Sequence, residues 1–183
     1  MACVLANGRA EVCKDVVGGI KAVYFINNQI SASGDVTYDV TNTDLITAIT
    51  NVDNLYKFEL KANDNNYVET ITSDRNNGTT FFQQVLNIKL KKHDAATHKM
   101  IKLLAYGRPH VVVATNNNQF FLAGLERGLD VTGGTIVTGG ALGDHSGYTL
   151  TFTGEERVPA NLLNASTETG MVTLFTSATL VTS

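Results

Sequence analysis

Tyr67 to Ser73 and Phe81 to Lys91 read as two strands joined through Asp74-Arg75-Asn76-Asn77-Gly78, an Asn-Gly turn signal of the hairpin kind. In the second strand Phe82, Leu86, Ile88 and Leu90 take one face and Asn87, Lys89 and Lys91 the other. A long hairpin with a polar tip therefore constrains everything around it. Leu55 to Lys61 alternates in the same way, with Tyr56, Phe58 and Leu60 set against Lys57, Glu59 and Lys61, and predicts one buried and one wet face. Tyr148, Leu150 and Phe152 alternate with Thr149, Thr151 and Thr153. The 23 threonines, 17 asparagines and 16 glycines suit pleated surfaces and turns better than long helices.

One helix interrupts the strands. Asp94 is a good N-cap, Met100, Leu103 and Leu104 share a face, Gly107 suits the end and Pro109 stops continuation, which predicts a helix from Asp94 to Tyr106. A weaker helical pattern opens on Asp44 and covers Thr43 to Ile49, and Met171 to Phe175 reads as a last strand. His110 to Thr115 and Gln119 to Leu125 form a second hairpin around Asn116-Asn117-Asn118. The expectation is an α+β chain, mainly antiparallel β, with eight to ten strands arranged as a β-sandwich or partly open barrel and one flanking helix.

At 183 residues, with no internal repeat and only Pro109 and Pro159 as prolines, the chain reads as one domain, residues 1–183; about the first fifty residues carry no motif. The charged fraction is 17% and the net charge −3, and the one basic concentration is Lys89, Lys91, Lys92, Lys99 and Lys102. That balance argues against sequence-specific DNA binding. Alternation alone accounts for Lys89 and Lys91. No apolar window is long enough for a membrane span and the start lacks a signal-peptide pattern, so no membrane anchor is expected. Cys3 and Cys13 are expected to be free thiols.

Catalytic constellations are missing from the pattern. The glycine-rich stretch Gly133 to Gly147 has neither a Gly-Lys-Ser/Thr ending nor dinucleotide spacing, and reads as a flexible loop or as an arm that orders against a neighbouring subunit. His93 and His98 stand five apart, which places them on different helix faces rather than in a metal pair. Asp144-His145-Ser146 resembles a triad only in letters, because triad members must converge from different places. The reading is of a non-enzyme without metal or cofactor.

The order of these elements carries a resemblance. The strand Phe81 to Lys91, the helix Asp94 to Tyr106 with Leu103-Leu104-Ala105-Tyr106-Gly107-Arg108-Pro109, the stretch Gly128-Leu129-Asp130-Val131-Thr132-Gly133-Gly134-Thr135 and the stretch Gly147-Tyr148-Thr149-Leu150-Thr151-Phe152-Thr153-Gly154-Glu155-Glu156 resemble tail tube (major tail) proteins of tailed bacteriophages, with a likeness to structural proteins of Bacteroidetes-type phages. It spans about Tyr56 to Leu163. The resemblance implies homo-hexameric rings stacked into a tube, hairpins completing a continuous inner barrel, an electronegative lumen, non-specific passage of genomic DNA, contacts with other tail proteins, and a place in the virion after assembly in the host cytoplasm. It also offers Asp74, Arg75, Asn76, Asn77 and Gly78, or Gly133, Gly134, Gly139, Gly140 and Gly143, as contacts between subunits. The alternatives are a head-to-tail connector or terminator ring of the same fold, and a β-sandwich module binding a receptor or carbohydrate. The chain has no tryptophan, which weighs against an aromatic sugar platform.

Overall fold

The run Ile20 to Ile26 is apolar at almost every position, so a strand built from it must be covered on both faces. In the computed structural model, which describes residues 8–10, 13–27 and 29–182, it is such a strand, β1 (Ile20–Ile26). The remaining elements are β2 (Val36–Tyr38), β3 (Leu45–Ile49), β4 (Asn54–Glu59), β5 (Asn66–Asp74), β6 (Thr79–Lys91), α1 (Ala95–Tyr106), β7 (His110–Thr115), β8 (Phe120–Ala123), β9 (Asp130–Val137), β10 (Gly147–Glu156), β11 (Asn161–Leu163), α2 (Glu168–Leu174) and β12 (Thr179–Val181).

Eight strands form the larger sheet in the order β12-β4-β1-β7-β8-β11-β3-β2, and four form the smaller in the order β5-β6-β10-β9. The pairs β11/β3 and β12/β4 are parallel; the others are antiparallel. The chain is mainly β in two sheets, as expected, and neither sheet closes into a barrel.

The larger sheet has a core on each side. Val23 and Phe25 of β1 and Val111 and Val113 of β7 point toward the smaller sheet, where they meet Leu86, Ile88, Leu150 and Phe152. The intervening Tyr24, Ile26, Val112 and Ala114 point the other way and share a core with Ile46, Leu55, Leu122 and, from α2, Met171. A period of two thus feeds two cores from one strand.

Helix α1 follows its sequence signals. The Asp94 side chain accepts from the Ala96 and Thr97 amides, and the Gly107 amide donates to the Leu103 and Leu104 carbonyls. Only Ile101 of this helix is buried.

Several expectations are corrected. Leu45–Ile49 is a strand, not the helix proposed for Thr43 to Ile49. Its β-branched residues pair with β2 on one side and β11 on the other. Conversely, Met171 to Phe175 lies mostly within a helix, because Met171 and Phe175 stand four apart and bury the same face, and Thr167 caps the start by accepting from the Gly170 amide. Among the described residues, twelve strands and two helices replace the expected eight to ten and one. Gly133 to Gly147 is not a loop throughout: its first five residues belong to β9, paired with β10 from Val137 opposite Gly147 to Gly133 opposite Thr151. Finally, the supposedly wet face of β4 is partly covered, since Leu55 is fully buried and Lys57 lies under Glu168 of α2 with Nζ 2.8 Å from its carboxylate. Among the described residues Cys13 is a free, exposed thiol; Cys3 lies outside them.

Candidate assembly surface

The smaller sheet buries one face only. Leu86, Ile88, Tyr148, Leu150 and Phe152 fill the inter-sheet core, so the residues between them face outward. Read across β5, β6 and β10, those outward rows are Asn66, Asn87 and Thr151, then Val68, Val85 and Thr153, then Thr70, Gln83 and Glu155. β9 adds Gly133 beside Thr151 and Thr135 beside Thr149. Amides and hydroxyls dominate this face and bond to one another across the strands. Asn87 donates to Asn66 at 2.8 Å, Thr151 donates to Asn87 at 2.8 Å, and the Thr132 and Thr153 hydroxyls lie 2.9 Å apart. Such cross-strand pairs hold the side chains in place without charge.

Charge on these four strands is sorted along their length instead. Glu69 and Asp74 of β5 and Glu155 and Glu156 of β10 lie in the half nearest the β5–β6 turn, Asp130 of β9 lies at the middle beside Thr153 and is paired with Arg108 at 3.0 Å, Glu156 is buried, and Lys89 and Lys91 of β6 lie in the other half. The strand ladder fixes this polarity, since β6 runs from Thr79 beside Asp74 to Lys91 beside Gly147.

The expected contact residues fall into three places. Asp74, Arg75, Asn76, Asn77 and Gly78 form the turn at one end, where the Asp74 carboxylate accepts from the Asn76 amide at 2.8 Å and the Asn77 side chain at 2.6 Å, and Gly78 has φ 63°. Gly139, Gly140 and Gly143 form the turn at the opposite end, tied by Asp144, which accepts from the Gly140 and Ala141 amides at 2.9 and 2.7 Å. Gly133 and Gly134 sit between them within β9. Hydrophobic groups accompany both ends: Ile71 is 67% exposed beside the first turn, and Leu142 is fully exposed at the second. The outermost strands β5 and β9 have no strand on their free sides among the described residues.

A partly buried polar knot holds the first hairpin to the body. Glu69 accepts from the Tyr67 hydroxyl at 3.0 Å, from Gln84 at 2.8 Å and from the Ala160 amide at 2.8 Å. Gln84 accepts in turn from the Gly124 amide at 2.8 Å, which joins the two sheets. Burial pushes the Tyr67 hydroxyl far above its ordinary value, so it remains a donor to Glu69. Beside the knot, His110 is fully buried with Nδ1 2.6 Å from the Gly124 carbonyl, and desolvation holds it below its ordinary pKa. Folding therefore favours neutral His110, whereas the unfolded chain accepts a proton below about pH 6.5. Its contribution is complete above the unfolded value and falls away as pH drops through it. A melting series from pH 7 to pH 5 is expected to show a loss of stability in the wild type that His110→Gln lacks; equal slopes would contradict it.

A groove of about 600 Å³ opens where the larger sheet meets the lysine end of β6. Phe58, Leu90 and Met100 contribute its apolar lining, with Lys57, Lys61, Lys89, Lys91 and the carboxylate of Glu59 around it. Lys61 lies 3.3 Å from Glu59 and Lys89 2.7 Å from Asp64, while Lys91 has no carboxylate partner among the described residues.

Convergent chemistry is not brought together. His93 precedes the helix rather than occupying a second face of it, and its ring meets Tyr148 edge-on at 5.1 Å while His98 lies tilted at 6.2 Å from the same ring; the described residues hold no group of three metal-ligating side chains. Asp144 is occupied with its turn, apart from any nucleophile–base pair. No helix among the described residues is long and apolar enough to cross a membrane. Comparison with protein-family models, curated proteins and solved structures finds no match. The polar knot is invisible in a linear reading because it depends on register; the one local trace of it in the sequence, left unread above, is Gln84 interrupting the Phe82, Leu86, Ile88 stripe.

Proposed function

We propose that this chain is a virion structural protein that builds the stacked rings of a phage tail tube, assembled in the host cytoplasm and conducting genomic DNA without binding its sequence. One observation carries the reading: a four-stranded sheet with one face in the core, an outer face of amides and hydroxyls, and two unpaired edges. Unpaired edges are a hazard for an isolated chain and a joint for a ring. The strand number also suits closure. β5, β6, β10 and β9 alternate in direction, so rotation about an axis along the strands sets β9 of one copy antiparallel to β5 of the next. Six copies related in this way would enclose a continuous barrel.

On this reading the outer face lines the lumen. Its middle rows lack lysine and arginine, so phosphates gain no ion pairs as they pass, and the hydroxyl and amide surface replaces the electronegative lumen that the resemblance implies. A carbohydrate-binding module is less well supported, because Tyr106 is the one large aromatic side chain strongly exposed among the described residues. The test is electron microscopy of the purified protein over a concentration series, with mass from light scattering. Rings or tubes of uniform width are expected; a strict monomer throughout would contradict the proposal.

A further inference from the structure

We propose that Asn77, at the tip of the β5–β6 hairpin, is a site of spontaneous deamidation to aspartate and isoaspartate, and that the carboxylate of Asp74 is the clasp that holds this reaction back. The chemistry needs only the turn and does not depend on assembly. In an Asn-Gly pair the second residue has no Cβ to crowd its own backbone nitrogen, which leaves that nitrogen open to the preceding side chain. Residues 75–80 are all exposed, and nothing occupies the space where a Gly78 Cβ would stand, so solvent reaches both reacting groups.

The step is a ring closure. The Gly78 nitrogen gives its proton to hydroxide and attacks Cγ of Asn77; the bond from Cγ to Nδ2 breaks, and Nδ2 takes a proton from water and leaves as ammonia. A cyclic succinimide remains, and water opens it at either carbonyl to give aspartate or isoaspartate. Nothing is oxidised or reduced. Closure requires Cγ to swing onto the Gly78 nitrogen, and its rate depends on how often the two atoms reach attack distance. The turn ties that side chain down. Nδ2 of Asn77 donates to Oδ2 of Asp74 at 2.6 Å, while Oδ1 of the same carboxylate accepts from the Asn76 and Asn77 amides at 2.8 and 3.3 Å. A carboxylate only accepts, so the leaving nitrogen rather than the amide oxygen must face it. The bond fixes the side chain and directs negative charge at the amide, which makes Cγ a poorer electrophile. Below the turn the Ser73 and Thr80 hydroxyls meet at 3.0 Å across the ladder, so the clasp stands on a closed base. Conversion would set a second carboxylate against Asp74, and the isoaspartate form would lengthen the backbone by one carbon within the turn.

The test compares the native full chain with Asp74→Asn, both held in mildly alkaline buffer and sampled by peptide mass spectrometry. The substitution keeps an oxygen for the Asn76 and Asn77 amides but sets a second NH2 group against Nδ2 of Asn77, so it opens the clasp and spares the turn. Conversion at Asn77, read as the mass gain of an NH2-to-OH exchange with isoaspartate among the products, is expected to run at least about tenfold faster in the variant, the factor carried by one hydrogen bond to a charged group. Asn7-Gly8, the other such pair in the sequence, serves as the internal clock and should convert equally in both proteins, with melting unchanged. Equal rates at Asn77 in the two proteins would overturn the inference. So would a native Asn77 that converts as fast as it does in a free peptide of residues 72–81, or a variant that stays intact at Asn77 while Asn7 reacts.

Discussion

Truncation of Phe152 to alanine is expected to lower the unfolding free energy by about 4 kcal/mol, in the range for emptying a buried aromatic site. Phe152 is fully buried at the centre of the smaller sheet, and its ring centroid lies 5.2 Å from that of Phe25 on β1. Phe25 in turn meets Phe58 of β4 edge-on at 5.0 Å, so three rings carry contact from one sheet across to the other. Removing the first leaves a void between layers that cannot collapse without moving a whole sheet. Against a total stability of about 5–15 kcal/mol, this is a large fraction. Urea unfolding measures it: the midpoint should fall sharply with little change in slope, and a loss below about 1 kcal/mol would show that this contact does not join the sheets.

On the proposed tube reading, replacing Asp74–Thr79 by a two-residue Asn-Gly turn is expected to abolish stacking while leaving the fold intact. The residues removed make their side-chain bonds within the turn, chiefly from Asp74, and the knot at Glu69 and Gln84 that anchors the hairpin remains. Melting should change little, and electron microscopy should show rings that no longer form tubes. The matching deletion at the other end must be confined to Gly139–Asp144, because Gly133 to Val137 is part of the sheet and its removal would expose Leu150 and Phe152. Normal tubes from a chain lacking both turns would end the view that they reach between rings.

These effects also show where the sequence was informative. The alternation in Phe81 to Lys91 and Tyr148 to Thr153 fixed the inner and outer faces of the smaller sheet, because a period of two needs no knowledge of partners. Asp94, Gly107 and Pro109 fixed α1 by local capping chemistry. The larger sheet was less legible. β7 was read as a strand with its observed bounds, but β1 is apolar on both faces and lacks alternation, and β3 with its few residues was outweighed by a plausible cap at Asp44. Helix α2 was misread because seven residues give a 3.6-residue period too little length to declare itself. The candidate surface was half visible: its turns could be named from Asn and Gly, but its outward rows of amides and hydroxyls appear only after β5, β9 and β10 are set in register with β6.

The place of α2 and β12 in the larger sheet bears on the order of events during synthesis. Met171 and Phe175 complete a core whose other members begin at Ala22, and Thr179–Val181 pairs with Asn54–Tyr56. A nascent chain emerging from the ribosome therefore holds Tyr24, Ile46 and Leu55 uncovered until residues 168–181 arrive, and contacts so distant in sequence are slow to close. The small sheet, complete by Glu156, presents its edges before that core is sealed. Copies made side by side on one message thus pass through an interval in which edges can meet ahead of finished subunits, and on the proposed ring reading the timing of the last segment separates orderly ring growth from premature tangling.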